Sequence, residues 1–137
     1  MGASIEDFTG DWDAPIYEFS HAVERIEAAV AAAREQSFPF ALTARAENFI
    51  RGRPDLDDTL KRLTAFEAAG ADVLYAPGLP DLAAIRTVCQ AVSKPVNVVM
   101  GLTGSDMTTA QLAEAGVRRI SLGGVLARAA LGAFMDA

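Results

Sequence analysis

The sequence predicts an α/β protein built on a parallel sheet, because short apolar runs alternate with amphipathic helical patterns along the whole chain. Two helix ends support this prediction by repeating one pattern. Glu-Ala-Ala-Gly-Ala at residues 67–71 and Glu-Ala-Gly-Val at residues 114–117 each end a helix at a glycine and enter a strand. An open doubly wound sheet and part of a (β/α)8 barrel both fit this alternation. In either fold, ligands bind at the carboxyl ends of the strands.

Apolar runs that are too short for a helix predict the strands. They are expected at residues 2–7, 38–44, 71–75, 95–100 and 117–122. The second run is the most informative, because three polar residues follow it in close succession: Arg45, Glu47 and Asn48. We therefore expect polar chemistry where this strand leaves the core.

Apolar residues at helical spacing predict the helices. The first is expected at residues 20–36 with Ser20 as its N-cap, and the second has Asp55 or Asp57 as its N-cap and ends at Gly70. Three more are expected at residues 82–92, 108–116 and 125–136. Glycine, proline and polar residues predict loops at residues 8–19, 49–55 and 101–104.

Length and composition indicate one folded domain covering residues 1–137, with 51% hydrophobic and 22% charged residues. A net charge of -6 argues against nucleic acid or an anionic membrane as a partner, since both bind clustered Lys and Arg. No apolar run approaches the length of a membrane span. Because Cys89 is the single cysteine, no intrachain disulfide is possible and a reducing cytoplasm is the expected location.

Arg45 is the first candidate for function, because a charge at the end of a buried strand needs a partner. One interpretation is that its guanidinium grips a carboxylate or phosphoryl group through two parallel hydrogen bonds. The other is that Arg45 pairs with Glu6 or Glu47 and only holds a loop. The sequence leaves both open.

The remaining predicted strand ends also carry distinctive residues. Glu6 and Asp7 end the first strand, Asn97 is a polar residue inside the fourth, and Gly123 and Gly124 follow the fifth. Because parallel strands end at the same edge of a sheet, these residues are expected at one rim.

Five stretches, in this order along the chain, carry a family resemblance. They are Gly-Ala-Ser-Ile-Glu-Asp (2–7), Leu-Thr-Ala-Arg-Ala-Glu-Asn (42–48), Ala-Gly-Ala-Asp-Val-Leu-Tyr-Ala-Pro-Gly (69–78), Lys-Pro-Val-Asn (94–97) and Gly-Val-Arg-Arg-Ile-Ser-Leu-Gly-Gly (116–124). With them the chain resembles the isocitrate lyase / phosphoenolpyruvate mutase superfamily. Within it, the chain is most similar to the phosphonomutase-like, carboxyvinyl-carboxyphosphonate phosphorylmutase-like branch.

The resemblance implies a (β/α)8 barrel whose members make or break C–C or P–C bonds in small 2-oxo or 2-hydroxy acids. It implies an enolate-like intermediate stabilised by Mg²⁺ and an arginine, which suits a hard cation with oxygen ligands. It also implies a small carboxylate or phosphonate as substrate. The site residues it suggests are Arg45 as catalytic, Arg45, Glu47, Asn48, Asn97 and Gly123 as substrate-binding, and Glu6 and Asp7 as metal-binding.

Two departures from the family pattern limit what the resemblance implies. The chain is similar to about strands 4 to 8 of the barrel, so the family's aspartate-rich metal motif and gating loop would precede Met1. We therefore expect the 137-residue chain alone to be inactive. Ala76-Pro77-Gly78 also stands where lyases of the family place a glutamate and phosphonate enzymes often a histidine, so neither specific reaction is implied.

Two other functions fit the same sequence. The glycines at residues 123 and 124, with the loop after Met100, could make a phosphate- or anion-binding barrel fragment, since backbone N–H groups at the last two strand ends bind phosphate in many barrels. Alternatively, a partial barrel has two open strand edges, which favours a non-catalytic assembly piece or a homo-oligomer.

Overall fold

In the computed structural model, which describes residues 1–101 and 107–137, the strands form one parallel sheet. The strands are β1 Gly2–Glu6, β2 Ala41–Arg45, β3 Val73–Tyr75, β4 Val96–Val99 and β5 Arg119–Ser121. Their spatial order follows the chain, β1-β2-β3-β4-β5. A doubly wound sheet would reverse direction at a switch point, so this order is that of a barrel. The prediction of a partial (β/α)8 barrel is confirmed.

A helix follows each strand, as expected. The helices are α1 Phe19–Arg34, α2 Leu56–Ala68, α3 Leu82–Ala91, α4 Thr109–Glu114 and α5 Val125–Met135. Asp55 caps α2, because its side chain accepts a hydrogen bond from the backbone N–H of Asp58.

The predicted cap of the first helix is wrong. Glu18 is the N-cap of α1, and its carboxylate accepts hydrogen bonds from the backbone N–H groups of Ser20 and His21. A glutamate side chain is long enough to fold back onto these donors, although glutamate is not among the short polar residues that usually cap helices. The helix therefore begins at Phe19, and its N-cap lies two residues earlier than predicted.

The start of β2 and the loop that follows it also differ from the sequence prediction. β2 begins at Ala41 and not at residue 38, because pairing with β1 starts where Gly2 faces Ala41. Phe38 lies outside the sheet and keeps 40% of its surface exposed. In the predicted loop after β2, residues Phe49–Arg51 form a turn of 3-10 helix. The predicted loop at residues 101–104 falls largely outside the described residues.

The hydrophobic core lies between one face of the sheet and the helices. Ala44, Leu74 and Val96 alternate along their strands with the residues of the opposite face and pack with helix residues such as Phe66 and Ile85. Each of these side chains is at least 98% buried. The core fixes the strands, and the opposite face of the sheet is left for polar side chains.

The outermost strand and the last helix stay exposed. Leu122 after β5 keeps 43% of its surface accessible, and none of the residues of α5 is buried. No helix in the described residues combines the length and the apolar character needed to cross a membrane.

Candidate active site

One row of side chains crosses the sheet on the face away from the helices. Strand register places Glu6 opposite Arg45, Arg45 opposite Tyr75, Tyr75 opposite Asn97, and Asn97 opposite Arg119. Because neighbours in register point to the same side of a parallel sheet, all five strands contribute to this row. The row therefore forms a continuous polar wall on an otherwise apolar fold.

This wall lines a cavity of about 620 Å³, which we call the cup. Its polar lining residues are Ser4, Thr43, Arg45, Tyr75, Asn97, Arg119 and Ser121. Glu6 lies beside the cup, where its carboxylate faces Arg45 at 3.3 Å. Of the predicted site residues, Arg45 and Asn97 line the cup, and Glu6 lies next to it.

Arg45 is held in a fixed position at the end of β2. Its Nη2 atom lies 2.7 Å from Oε1 of Glu47, and its Nε donates to the same oxygen at 2.9 Å. The guanidinium carbon lies 5.0 Å from the ring centre of Tyr75, and Nη2 lies 3.3 Å from Oε2 of Glu6. Arg45 thus pairs with both glutamates while it also lines the cup, so the two sequence interpretations are compatible.

Glu47 is fully buried and touches two arginines. While one carboxylate oxygen faces Arg45, the other lies 3.0 Å from Nη2 of Arg51, one helical turn further along the chain. Burial raises the pKa of Glu47, and the charge of Arg45 opposes that rise. Its described contacts are those of a residue that positions Arg45, and its predicted role in substrate binding stays a prediction.

Arg51 closes a cluster of four charged residues, which we call the rim cluster: Glu6, Arg45, Glu47 and Arg51. The Arg51 guanidinium also stacks on Phe8, with 3.6 Å between its carbon and the ring centre. This contact pins the loop after β1 to the cluster. Two arginines and two glutamates leave the rim cluster with no net charge.

Asp7 lies away from the cup. It follows Glu6 directly, so strand alternation turns its side chain toward the helices. There its carboxylate lies 3.3 Å from Nη1 of Arg62 and accepts the backbone N–H of Glu47 at 2.8 Å. Burial raises the pKa of Asp7 to about 6. The structure does not bring the two predicted metal ligands together, and the metal role of Asp7 stays a prediction.

Asn48 also faces a different cavity. It lines a groove of about 480 Å³ beside the start of α2, together with Arg53 and Asp58. Its Nδ2 donates to the Asp58 carboxylate at 2.8 Å. Of the predicted substrate-binding residues, Asn48 therefore lines this groove, Arg45 and Asn97 line the cup, and Glu47 and Gly123 line neither cavity.

Asn97 and Gly123 lie toward the β5 side of the cup. Asn97 is 3% exposed, its Nδ2 donates to Oγ of Ser121 at 3.1 Å, and its Oδ1 has no hydrogen-bond partner within the described residues. Gly123 makes the turn after β5 with φ of 53°. Both substrate-binding roles stay predictions, and residues 102–106 of the neighbouring predicted loop lie outside the described part of the chain.

The sequence prediction missed five polar residues of the cup: Ser4, Thr43, Tyr75, Arg119 and Ser121. The signal was present in the period of two along each strand, since Thr43 precedes Arg45 by two residues and Arg119 precedes Ser121 by two. Burial raises the pKa of Tyr75, so its hydroxyl remains a proton donor in the cup at neutral pH.

The carboxylates of the described residues supply only part of a metal site. No group of three or more His, Cys, Asp or Glu side chains in residues 1–101 and 107–137 is arranged to hold a metal ion. Glu6 is a suitable single ligand, because its side chain is 35% exposed beside the cup. Mg²⁺ commonly binds through one or two carboxylates and completes its octahedron with water and substrate.

Solved structures share this fold over nearly the whole chain. A Burkholderia cenocepacia J2315 protein, provisionally assigned as a lyase/mutase, is 60% identical with a TM-score of 0.96, and the match covers 99% of this chain and 49% of that one. A phosphonopyruvate hydrolase, solved with oxalate and Mg²⁺, is 25% identical with a TM-score of 0.82, over 98% of this chain and 48% of that one.

A curated relative and a family model agree with these structures. Oxaloacetate decarboxylase of Paraburkholderia xenovorans (strain LB400) is 36% identical over 81 residues, which is 59% of this chain and 26% of that protein. The chain thus spans about a quarter of this relative and about half of the solved structures. The model of the phosphoenolpyruvate phosphomutase family matches residues 1–137. The chain belongs to the phosphoenolpyruvate phosphomutase family, within the phosphoenolpyruvate mutase/isocitrate lyase superfamily.

Proposed function

We propose that this chain supplies the substrate-binding wall of a Mg²⁺-dependent lyase or mutase that acts on a small 2-oxo or 2-hydroxy acid. The observation that carries the proposal is the fixed guanidinium of Arg45, which lines the cup while Glu47 holds it at 2.7 Å. A preorganised cation costs no reorganisation when negative charge develops on a substrate oxygen. In this proposal, breaking a C–C or P–C bond leaves an enolate-like anion that Arg45 stabilises.

The charge of the rim cluster supports a requirement for Mg²⁺. Glu6 lies 3.3 Å from Arg45 and competes with any anion for the same guanidinium. A divalent cation bound to Glu6 would neutralise this competition and free donors of Arg45 for the substrate. The metal would also act as a Lewis acid on the substrate oxygen. Oxalate and Mg²⁺ bound together in the phosphonopyruvate hydrolase support this pairing.

The proposal assigns different tasks to the predicted site residues. Arg45 binds the carboxylate or oxyanion, Glu47 positions Arg45, and Glu6 contributes to the metal site. Asn97 offers a hydrogen bond to the substrate from β4. Because Glu6 is a single carboxylate, we expect weak metal affinity and little turnover from the 137-residue chain alone.

Binding of oxalate is the experiment that tests the proposal, because it needs no turnover. We would titrate oxalate into ¹⁵N-labelled protein with and without Mg²⁺ and follow amide shifts of residues lining the cup. Arg45→Lys keeps the charge and removes the two-pronged geometry, so we expect about tenfold weaker binding. Arg86→Lys is the matched control, because Arg86 is exposed on α3.

Three results would decide the question. Mg²⁺-dependent shifts that weaken in Arg45→Lys and persist in Arg86→Lys support the proposal. Equal binding by wild type and Arg45→Lys would contradict it. Binding that needs no Mg²⁺ and shifts only the amides near Gly123 would favour the anion-binding alternative.

A homo-oligomer in the cytoplasm completes the proposal. The exposed apolar side chains of α5 support association with a second copy, since several large apolar side chains exposed on one element are typical of protein interfaces. They are Leu126, Leu131, Phe134 and Met135, each more than half exposed.

A further inference from the structure

We propose that Arg119 is a specificity-determining residue that binds a second anionic group of the substrate, so that the cup selects a doubly anionic acid. This inference rests on the proposed function, because it assigns a further residue of the same site. The structure supplies the position of Arg119, its unused hydrogen-bond donors and an unpartnered polar atom beside it.

Arg119 reaches across the cup. It begins β5, yet its Nη1 donates to Oγ1 of Thr43 on β2 at 2.9 Å, so its side chain spans the positions of β3 and β4. Thr43 precedes Arg45 by two residues on the same face, a separation of about 7 Å along the strand. The Arg119 guanidinium therefore opens into the same cavity as that of Arg45.

The charge of Arg119 is not matched by a carboxylate within the described residues. Arg45, the other arginine that lines the cup, pairs with the carboxylates of Glu6 and Glu47, whereas the described hydrogen bond of Arg119 goes to a neutral hydroxyl. A guanidinium carries five N–H donors, so most of those of Arg119 are left for a ligand. A carboxylate or phosphonate is the group whose geometry fits this fork.

Asn97 provides an independent observation in the adjacent strand. Its side chain is 97% buried and lines the cup, and its Oδ1 lacks a donor among the described residues. A buried carbonyl oxygen without a donor is unfavourable, because it has lost its hydrogen bonds to water. A hydroxyl group on a ligand between Arg45 and Arg119 would supply that donor. The wall thus combines two cations with an acceptor between their strands, which matches a 2-hydroxy diacid.

The experiment compares two acids that differ by one carboxylate, L-malate and L-lactate. We would titrate each into the ¹⁵N-labelled 137-residue chain with Mg²⁺ present and derive the ratio of their dissociation constants. Wild type should bind malate about tenfold more tightly than lactate, which corresponds to the lower values known for the contribution of one hydrogen bond to a charged group. Arg119→Gln should reduce this ratio to near one while lactate affinity stays unchanged.

Two variants control the result. Arg118→Gln removes the neighbouring exposed arginine, outside the lining of the cup, and should keep the malate preference. Arg119→Lys keeps a point charge and should keep part of the preference, which separates charge recognition from a packing role. Circular dichroism of each variant checks that the fold is retained.

The outcomes separate this inference from the proposed function. If Arg119→Gln keeps the wild-type ratio, or wild type does not prefer malate, the inference is overturned. If Arg45→Gln leaves both affinities unchanged while Arg119→Gln removes the preference, the proposed role of Arg45 fails and that of Arg119 stands.

Discussion

Nη2 of Arg45 lies 2.7 Å from a carboxylate oxygen of Glu47, a residue that is fully buried. The same carboxylate contacts Arg51, so one buried anion serves two arginines. A buried charge that loses its partner is costly, and this pairing therefore couples the stability of the fold to the position of the Arg45 guanidinium, the proposed substrate-binding group.

Replacing Glu47 by glutamine tests this coupling. The amide cannot compensate two guanidinium charges, so we expect the free energy of unfolding to fall by about 3 kcal/mol. Binding of oxalate should weaken as well, because Arg45 loses its orientation. Urea denaturation and an oxalate titration measure the two effects.

Glu27→Gln provides the control for Glu47→Gln. Glu27 is exposed on α1, so Glu27→Gln should change the free energy of unfolding of the protein by less than about 0.5 kcal/mol. A Glu47→Gln protein as stable as this control would show that the buried carboxylate contributes nothing to the fold.

Asp7 gives a pH-dependent prediction. Its pKa is raised from 3.8 to about 6 in the folded protein, so the folded state holds the proton more tightly than the unfolded state does. Stability from this group is therefore greatest at low pH and falls as pH rises from about 4 to 6. Asp7→Asn cannot titrate, so the stability of wild type minus that of the variant should decrease by about 2–3 kcal/mol over this range.

Urea denaturation of both proteins at several pH values measures this difference and cancels the other titrating groups. A difference that is constant between pH 4 and 6, or that rises with pH, would mean that the Arg62 ion pair keeps Asp7 ionised throughout.

Gly78 is predicted to be essential for the turn after β3. It has φ of 86°, and a Cβ atom there would lie 2.5 Å from Cγ2 of Ile50. Gly78→Ala should therefore combine the left-handed backbone cost with a steric clash and destabilise by about 2–4 kcal/mol. Thermal and urea denaturation both report the change.

Gly52→Ala separates the two contributions to the Gly78 effect. Gly52 has φ of 73°, but nothing lies within 4 Å of the added atom, so a cost of about 1–2 kcal/mol is expected. Equal losses in the two variants would mean that Ile50 moves aside without cost.

The exposed face of α5 yields a prediction about assembly. Leu131→Ser combined with Phe134→Ser should shift the sedimentation coefficient toward that of the monomer, because these side chains are 58% and 79% exposed. Ala133→Ser on the same helix is the control and should leave association unchanged. A wild-type chain that sediments as a monomer at all concentrations would contradict the proposed oligomer.

The sequence was informative about the elements and less so about which side chains meet. Each strand and each α-helix of the described residues was predicted, because buried runs and amphipathic stripes reflect local burial, whereas the 3-10 helix at Phe49–Arg51 was not. The distinction between a barrel and a doubly wound sheet needed the strand order, which depends on long-range pairing. Asp7 shows the same limit at the site: its place in the chain suggested a metal ligand beside Glu6, whereas strand alternation turned it toward Arg62.

Boundary errors have a similar origin. Phe38 is as apolar as a strand residue, but pairing with β1 starts at Ala41. Arg119 was read as part of an apolar strand, and its importance appeared only when register placed it in the row of Arg45 and Asn97. Their places at predicted strand ends indicated Arg45 and Glu6, and the family resemblance implied their roles, whereas most other residues lining the cup required three-dimensional neighbours.

The hydrogen bond from the Glu47 backbone to Asp7 links the helix layer of the protein to the proposed substrate site. Arg62 on α2 forms an ion pair with Asp7, and Asp7 accepts a hydrogen bond from the backbone N–H of Glu47. The Glu47 side chain in turn forms an ion pair with Arg45. Variation at Arg62, on the helix side of the sheet, is therefore expected to alter the position of Arg45, and with it the affinity for the proposed substrate, without any contact between Arg62 and that substrate. A mutagenesis library confined to the walls of the cavity would overlook this position, so efforts to change the substrate preference of such enzymes should include the helix layer.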